Sequence, residues 1–151
     1  GYEVIGATLS TFLPAGEDAA IDDAKEMCRI LGIKHHVIKS KGEFKRQVID
    51  YFTHSYLHGF TPNPCVRCNK TIKWPYLHEA ARKFGCQYVS TGHYVNVEWY
   101  RNRYYLKKGI DASKDQSYFL SHIEQFVSLH CCHKDLFLHI RLVHLLFLIP
   151  F

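Results

Sequence analysis

Thr61-Pro-Asn-Pro-Cys-Val-Arg-Cys-Asn69 places two thiols three residues apart, behind two prolines, where a loop runs into a helix. At that spacing Cys65 and Cys68 both point into one site, and a helix amino terminus with Arg67 and Lys70 nearby favours thiolate over thiol. Such a pair suits persulfide or disulfide chemistry, or supplies half of a metal or cluster site. The plain alternative is two packed cysteines beside a rigid turn. A structural zinc site needs four ligands, and the other cluster, His130-Cys131-Cys132-His133, lacks a usual zinc spacing.

Three further strings carry polar chemistry. Ser90-Thr-Gly-His-Tyr94 follows a short strand, and open α/β sheets bind ligands at the carboxyl ends of their strands, where a glycine permits close approach. A hydrogen-bonded turn histidine is the ordinary reading of His93. Asp111-Ala-Ser-Lys-Asp-Gln-Ser-Tyr-Phe119 is either a binding loop or a helix start rich in capping side chains. Arg101, Arg103, Lys107 and Lys108, interleaved with Tyr100, Tyr104 and Tyr105, make a basic and aromatic hairpin that suits an RNA backbone or is simply a solvated strand pair.

The elements that position these strings alternate strand and helix. Tyr2–Ser10 reads as a buried strand. Ile21, Ala24, Cys28 and Leu31 recur at helical spacing before the stop at Gly32. A strand at His35–Ile38 precedes a second amphipathic helix through Phe44, Val48, Tyr51, Phe52 and Tyr56, closed by Gly59. Thr61–Pro64 reads as a loop, because its prolines do not suit a helix interior. Ile72, Leu77, Ala80, Ala81 and Phe84 form a third helix, and Cys86–Ser90 another strand. This alternation predicts a doubly wound parallel α/β sheet. Residues 94–106 break the pattern as a hairpin around Arg101-Asn102. From Phe126 onward the chain is apolar nearly all round and reads as one buried helix.

With 151 residues, 47% hydrophobic and 22% charged, the chain is one globular domain rather than a disordered segment. A net charge of +5 permits a polyanionic partner without demanding one. Six irregularly placed cysteines without a signal peptide predict a reduced, cytoplasmic chain, and the tail is too short and too interrupted for a membrane span. The opening Gly1 reads as the interior of a longer protein.

Gly1-Tyr-Glu-Val-Ile-Gly6, Thr61–Pro64 with Cys68-Asn-Lys70 and Ile72-Lys73, Thr91-Gly-His-Tyr94, and Lys114-Asp-Gln-Ser-Tyr-Phe-Leu120 occur in the order and spacing of one family. Over residues 1–124 the chain resembles the amino-terminal ATP-pyrophosphatase domain of bacterial-type tRNA-specific 2-thiouridylases, with 125–151 a divergent tail. The resemblance implies the adenine-nucleotide alpha-hydrolase (PP-loop) fold, incomplete at its start. It further implies ATP with Mg2+, a tRNA partner, and a sulfur donor such as a cysteine desulfurase relay. In that reaction the uridine 2-oxygen is adenylated and a persulfide sulfur displaces AMP.

By the same resemblance Cys68 is the nucleophile with Cys65 as its partner, and Asn63, Pro64 and Cys65 meet the target base. Gly92 and Leu9 match ATP contacts, and His93, Lys114, Asp115 and Gln116 match tRNA contacts. The Cys-x-x-Cys branch implies a 4Fe–4S cluster held by Cys65 and Cys68. The family's Ser-Gly-Gly-Val-Asp-Ser phosphate loop has no counterpart between Gly1 and Phe151, which leaves an exposed sheet edge beside Tyr2–Ser10 as the expectation. The rival reading is a non-catalytic zinc-binding RNA module using the same two thiols. A thioredoxin-like oxidoreductase ranks behind both, since the cysteines follow Asn-Pro after a helix rather than a strand.

Overall fold

The computed structural model describes residues 2–11, 17–123 and 146–150. Strand β1 (Ile5–Ser10) is buried on both faces, Ile5 and Ala7 on one and Thr8 and Ser10 on the other. That is the burial a strand has when helices cover both sides of its sheet. Helix α1 (Glu17–Ile30) packs Ala24 and Cys28 with Met27 and Ile33 in a small core of its own. It stops where Gly32 takes φ +67°. There the Ile33 N–H donates to Cys28 O and the Gly32 N–H to Arg29 O, closing the helix with a left-handed residue that only glycine adopts freely. Strand β2 (Lys34–Lys39) then pairs parallel to β1, with Ile5 opposite Lys34 and Ser10 opposite Lys39.

Helix α2 (41–57) consists of Lys41–Phe44, a π-helical stretch Lys45–Asp50, and Tyr51–Leu57. Helix α3 (64–83) has the same build: Pro64–Cys68, a π-helical turn Asn69–Lys73, and Trp74–Lys83. Its buried Trp74, Leu77, Ala80 and Ala81 pack on Ile5, Ala7 and Val89, and this is the main core. Leu77 is fully buried, and removing a side chain so placed costs about 2–5 kcal/mol. Strand β3 (Cys86–Ser90) follows, then the hairpin of β4 (Val95–Tyr100) and β5 (Arg103–Lys108), a 3-10 turn at Ser117–Leu120, and β6 (Leu146–Pro150).

The expected α/β fold holds, with β1, β2 and β3 parallel, and four details need correction. The main sheet also takes in one antiparallel strand. Its order is β2-β1-β6-β3, with β1, β2 and β3 running one way and β6 antiparallel between β1 and β3. The edge expected beside β1 is therefore filled by the tail, because unpaired backbone groups along a central strand are costly and any chain able to satisfy them lowers that cost. Leu146–Pro150 is thus strand where a helix was expected; the rest of the expected tail helix lies outside the described residues. Pro64 is the first helical residue rather than loop, a position where its missing N–H is not needed. Finally, α2 buries Val48 and Ser55 but leaves Phe52 and Tyr56 exposed, so its apolar stripe is only partly used.

Leu148 sits in the ladder between Ile5 and Val89. Leu148→Pro removes a ladder N–H in the middle of the sheet, and a lost buried hydrogen bond costs about 1–3 kcal/mol. The urea midpoint should fall by an amount that corresponds to at least that range. An unchanged midpoint would mean that β6 contributes nothing to the fold.

Candidate functional site

Helix α3 positions the thiols from its first turn. The Asn63 side-chain oxygen accepts hydrogen bonds from the N–H groups of Cys65 and Val66, both at 3.1 Å, and Pro64 fixes φ at the first helical residue. Val66 is buried, Cys65 is exposed and Cys68 is half-buried, so the pair straddles the surface. Both cysteines are free thiols.

The cation that faces Cys68 is Lys73, not the expected Arg67 or Lys70. Arg67 is committed elsewhere. Its Nε donates to Gln47 O at 3.1 Å, its Nη2 to Gln47 Oε1 at 2.9 Å, and its guanidinium lies 4.7 Å from the Tyr51 ring centre. Lys70 is exposed to solvent. Lys73 is brought round by the π-helical turn, in which the Trp74 N–H donates to Asn69 O five residues back. Pro75 explains the widening: it has no N–H for Thr71 O, and its ring crowds that carbonyl. The Thr71 hydroxyl donates to Arg67 O at 2.9 Å and loosens the same stretch. The wider turn brings a residue five places on nearer the side of Cys68 than a 3.6-residue turn would, and Lys73 acts on that thiol electrostatically.

Burial pushes the Cys68 thiol up, while Lys73 pulls it down and Cys65 adds a smaller upward push. Burial likewise lowers the Lys73 ammonium, against the pull of both thiols. The two groups therefore favour charging together rather than singly. Lys73 Nζ also lies 3.4 Å from His93 Nε2, and His93 Nδ1 lies 2.8 Å from Thr91 Oγ1. An ammonium only donates, so Nε2 accepts and the ring proton sits on Nδ1, aimed at the Thr91 hydroxyl. Burial, with Lys73 beside it, pushes His93 down to about 3, so the ring is neutral in the fold. Its plane stacks 6.1 Å from Trp74.

Asn69 ties this helix to the downstream segment, its side-chain N–H donating to Phe119 O at 3.1 Å. The segment carrying Lys114, Asp115 and Gln116 is in turn fastened to the base of the hairpin. The Gly109 N–H donates to Asp115 Oδ1 at 2.7 Å, and the Ser117 hydroxyl donates to Asp115 Oδ2 at 2.8 Å. Those bonds hold the Asp115 carboxyl below the usual range. Gln116 is latched to Tyr94 in both directions, N–H to O at 2.9 Å and Oε1 from N–H at 3.1 Å. A Cβ on Gly109 would stand 3.1 Å from Tyr94 O, so this junction is closely packed. Lys114 reaches Asp111 at 3.4 Å and the Tyr94 ring at 5.8 Å and remains at the surface.

Leu9 lies near the carboxyl end of β1 and Gly92 in the turn just after β3; these two strands run parallel, and the carboxyl ends of strands are where open α/β sheets bind ligands.

The family model described as tRNA methyl transferase HUP domain matches residues 5–132. The chain belongs to that family. It is 44% identical over 140 residues to tRNA-specific 2-thiouridylase MnmA of Clostridium kluyveri, covering 86% of this chain and 39% of that protein. It is 47% identical over 133 residues to tRNA-specific 2-thiouridylase MnmA of Moorella thermoacetica, covering 80% and 37%. A third relative, tRNA-specific 2-thiouridylase MnmA 2 of Caldanaerobacter subterraneus, is 44% identical over 138 residues. The chain spans about two fifths of the length of the curated relatives it matches.

For this HUP-domain chain the structure joins Asn63, Pro64, Cys65 and Cys68 with His93 in one site, through a lysine that motif reading did not single out. The signal was available: a proline at position 75 inside an otherwise helical run marks a widened turn, and Lys73 lies within it. Cys65 and Cys68 supply two ligands of the kind an iron–sulfur cluster takes, and the cluster reading calls for a third cysteine outside this sequence; among the described residues no group of three or more cysteine, histidine or carboxylate ligands is present. Zinc meets the same shortfall, and Cys131 and Cys132 lie outside the described residues. What the thiol pair can do unaided is nucleophilic and sulfur-exchange chemistry, with Lys73 stabilising the anion.

Lys73→Met should therefore slow iodoacetamide alkylation of Cys68 several-fold near pH 8. The loss of the ammonium raises the thiol further, and the thiolate is the reacting form. The difference should close at strongly alkaline pH, where the thiol is ionised in both proteins, and Lys73→Arg should restore part of the rate. Equal rates for Lys73→Met and the parent across the pH range would remove Lys73 from the site.

Proposed function

We propose that this chain is the nucleotide- and base-handling part of a cytoplasmic tRNA 2-thiouridylase, with Cys68 as its sulfur nucleophile. The observation that carries the reading is the pairing of a half-buried thiol with a half-buried lysine on a helix capped by Asn63. The names of the relatives support it. The word methyl in the family's description does not bear on these residues, whereas adjacent thiols have a direct use in sulfur transfer. The free thiols of Cys28, Cys65, Cys68 and Cys86 agree with a reducing compartment. Among the described residues no helix is long and apolar enough to cross a membrane.

In the proposed reaction the uridine 2-oxygen attacks the α-phosphorus of ATP, supplied with Mg2+, and pyrophosphate leaves. Leu9 and Gly92 lie where the adenosine would sit. A persulfide on Cys68, charged by a donor of the cysteine desulfurase class, then attacks C2, and AMP leaves with the former 2-oxygen. Cys65 attacks Cys68 Sγ, which frees the thiocarbonyl and closes a Cys65–Cys68 disulfide that an external dithiol must reduce. Asn63 and Pro64 make a rigid rim for an extruded base, which must leave its stack to be reached. His93, neutral and held by Thr91, presents an uncharged edge beside that base. Lys114, at the surface in an exposed pair with Asp111, is placed to meet phosphate, while Asp115 and Gln116 shape the loop that carries it.

Cys68→Ser in the full-length enzyme should abolish 2-thiouridine formation, measured by nucleoside mass spectrometry, while leaving tRNA affinity within about twofold. A serine hydroxyl neither carries persulfide sulfur nor ionises in the relevant range. Thiolation near the parent rate would sink the assignment. The 151-residue chain alone should release no pyrophosphate from ATP above background with unmodified tRNA. No glycine-rich loop between Gly1 and Phe151 offers a cradle of N–H groups for the leaving group, and losing even one such donor typically costs ~10²–10³ in rate. Turnover by the chain would show that another segment does that work.

A further inference from the structure

The hairpin is built in a way that the thiol chemistry does not explain. Ladder register puts Asn96, Glu98 and Tyr100 on one face with Arg103, Tyr105 and Lys107, and Val95, Val97 and Trp99 on the other with Tyr104, Leu106 and Lys108. The second face anchors the root: Val95 is in the main core and Leu106 packs against it, while nearer the tip Trp99, itself exposed, lies 4.5 Å from Tyr104. The first face is open. Tyr100 is 53% and Tyr105 44% exposed, their rings 6.2 Å apart, and Arg101 lies over Tyr100 at 5.1 Å. Lys107 is neutralised by Glu98 at 2.8 Å, but among the described residues neither Arg101 nor Arg103 has a carboxylate partner. At the tip Arg101 and Asn102 both take positive φ, +48° and +58°. A two-residue turn of this kind prefers Asn-Gly, so an arginine at its first position is kept there against backbone preference. Strain of that sort gathers where function needs the side chain.

We infer that the outward face of this hairpin, Tyr100 and Tyr105 with Arg101 and Arg103, grips a single-stranded stretch of the same RNA whose uridine reaches Cys68. The inference rests on the tRNA reading above. Exposed aromatic faces beside unpaired arginines match stacked bases and a phosphate backbone, a combination that an acidic protein surface would use only in half. The position fits as well. The root of the hairpin, Tyr94 and Gly109, is bolted to Asp115 and Gln116, and His93 beside it reaches Lys73. Six residues per strand carry the tip about 20 Å from that root.

The test is fluorescence anisotropy of the 151-residue chain with labelled unmodified tRNA transcript across a salt series, with heparin as a polyanion control. Tyr100→Ala with Tyr105→Ala should weaken tRNA binding at least ~10-fold and leave heparin binding unchanged. Tyr100→Phe with Tyr105→Phe should bind as the parent does. Arg101→Ala with Arg103→Ala should weaken both ligands and reduce the slope of log affinity against log salt by about 1.4, two single-strand phosphates' worth. Parent-like tRNA affinity in the alanine tyrosine variant overturns the inference, as does equal loss for tRNA and heparin. These results leave the thiolation reading standing. A chain that binds tRNA no better than a competitor protein of equal charge overturns the tRNA reading itself.

Discussion

Pro75 imposes the constraint on which the site depends. A helix from Pro64 to Lys83 would ordinarily run at 3.6 residues per turn, and a residue five places from Cys68 would then point well away from it. Because Pro75 offers no N–H, the turn before it opens to a five-residue bond from Trp74 to Asn69, and the helix resumes with a new phase. Two outcomes follow from one missing hydrogen. Ahead of the wide turn, Cys68 and Lys73 are brought nearer the same side of the helix. Behind it, Trp74, Leu77, Ala80 and Ala81 are aimed into the core against β1 and β3. The same covalent feature aligns the reactive pair and fixes the helix that carries it.

The surroundings hold that geometry from several sides. Asn63 caps the helix start, Arg67 crosslinks it to Gln47 on the neighbouring helix, and Asn69 fastens it to Phe119. Lys73 is thus a half-buried cation on a well-anchored element, with a neutral histidine and two thiols around it. Burial nevertheless holds Cys68 above the ordinary thiol value, so the expected bias toward thiolate is not met at rest; Lys73 works against that burial and lowers the cost of ionising Cys68 when it reacts.

Much of this was legible beforehand because local chemistry fixes it. The glycine stops at Gly32 and Gly59, the strand at Cys86–Ser90 and the hairpin about Arg101-Asn102 are written in periodicity and turn residues, and each was found. Misreadings occurred where the deciding contact is long-range. Nothing local in Leu146–Pro150 tells a strand from a helix, since an apolar run satisfies both; the unpaired groups of β1 and β3 decide it. Arg67 was the natural cation for the thiols by proximity in sequence, yet Gln47 and Tyr51 on another helix claim it. Phe52 and Tyr56 keep helical spacing without being buried, because amphipathicity states what a face is able to cover and not what covers it.

The string Lys114-Asp-Gln116 shows how far a motif can be taken residue by residue. As a string it suggests three equivalent contacts to RNA. In the fold its three side chains have different work. Asp115 takes the N–H of Gly109 and the hydroxyl of Ser117, and Gln116 closes a two-way latch on Tyr94. A carboxylate whose oxygens already accept such bonds has little left to offer a base. Lys114 alone keeps donors facing outward, beside Tyr94. The string is therefore better understood as one surface lysine on a frame built by its two neighbours. The frame is also what fastens the hairpin root to the neighbourhood of His93, so replacing Asp115 or Gln116 acts on Tyr94 and Gly109 and not on an outward-facing contact.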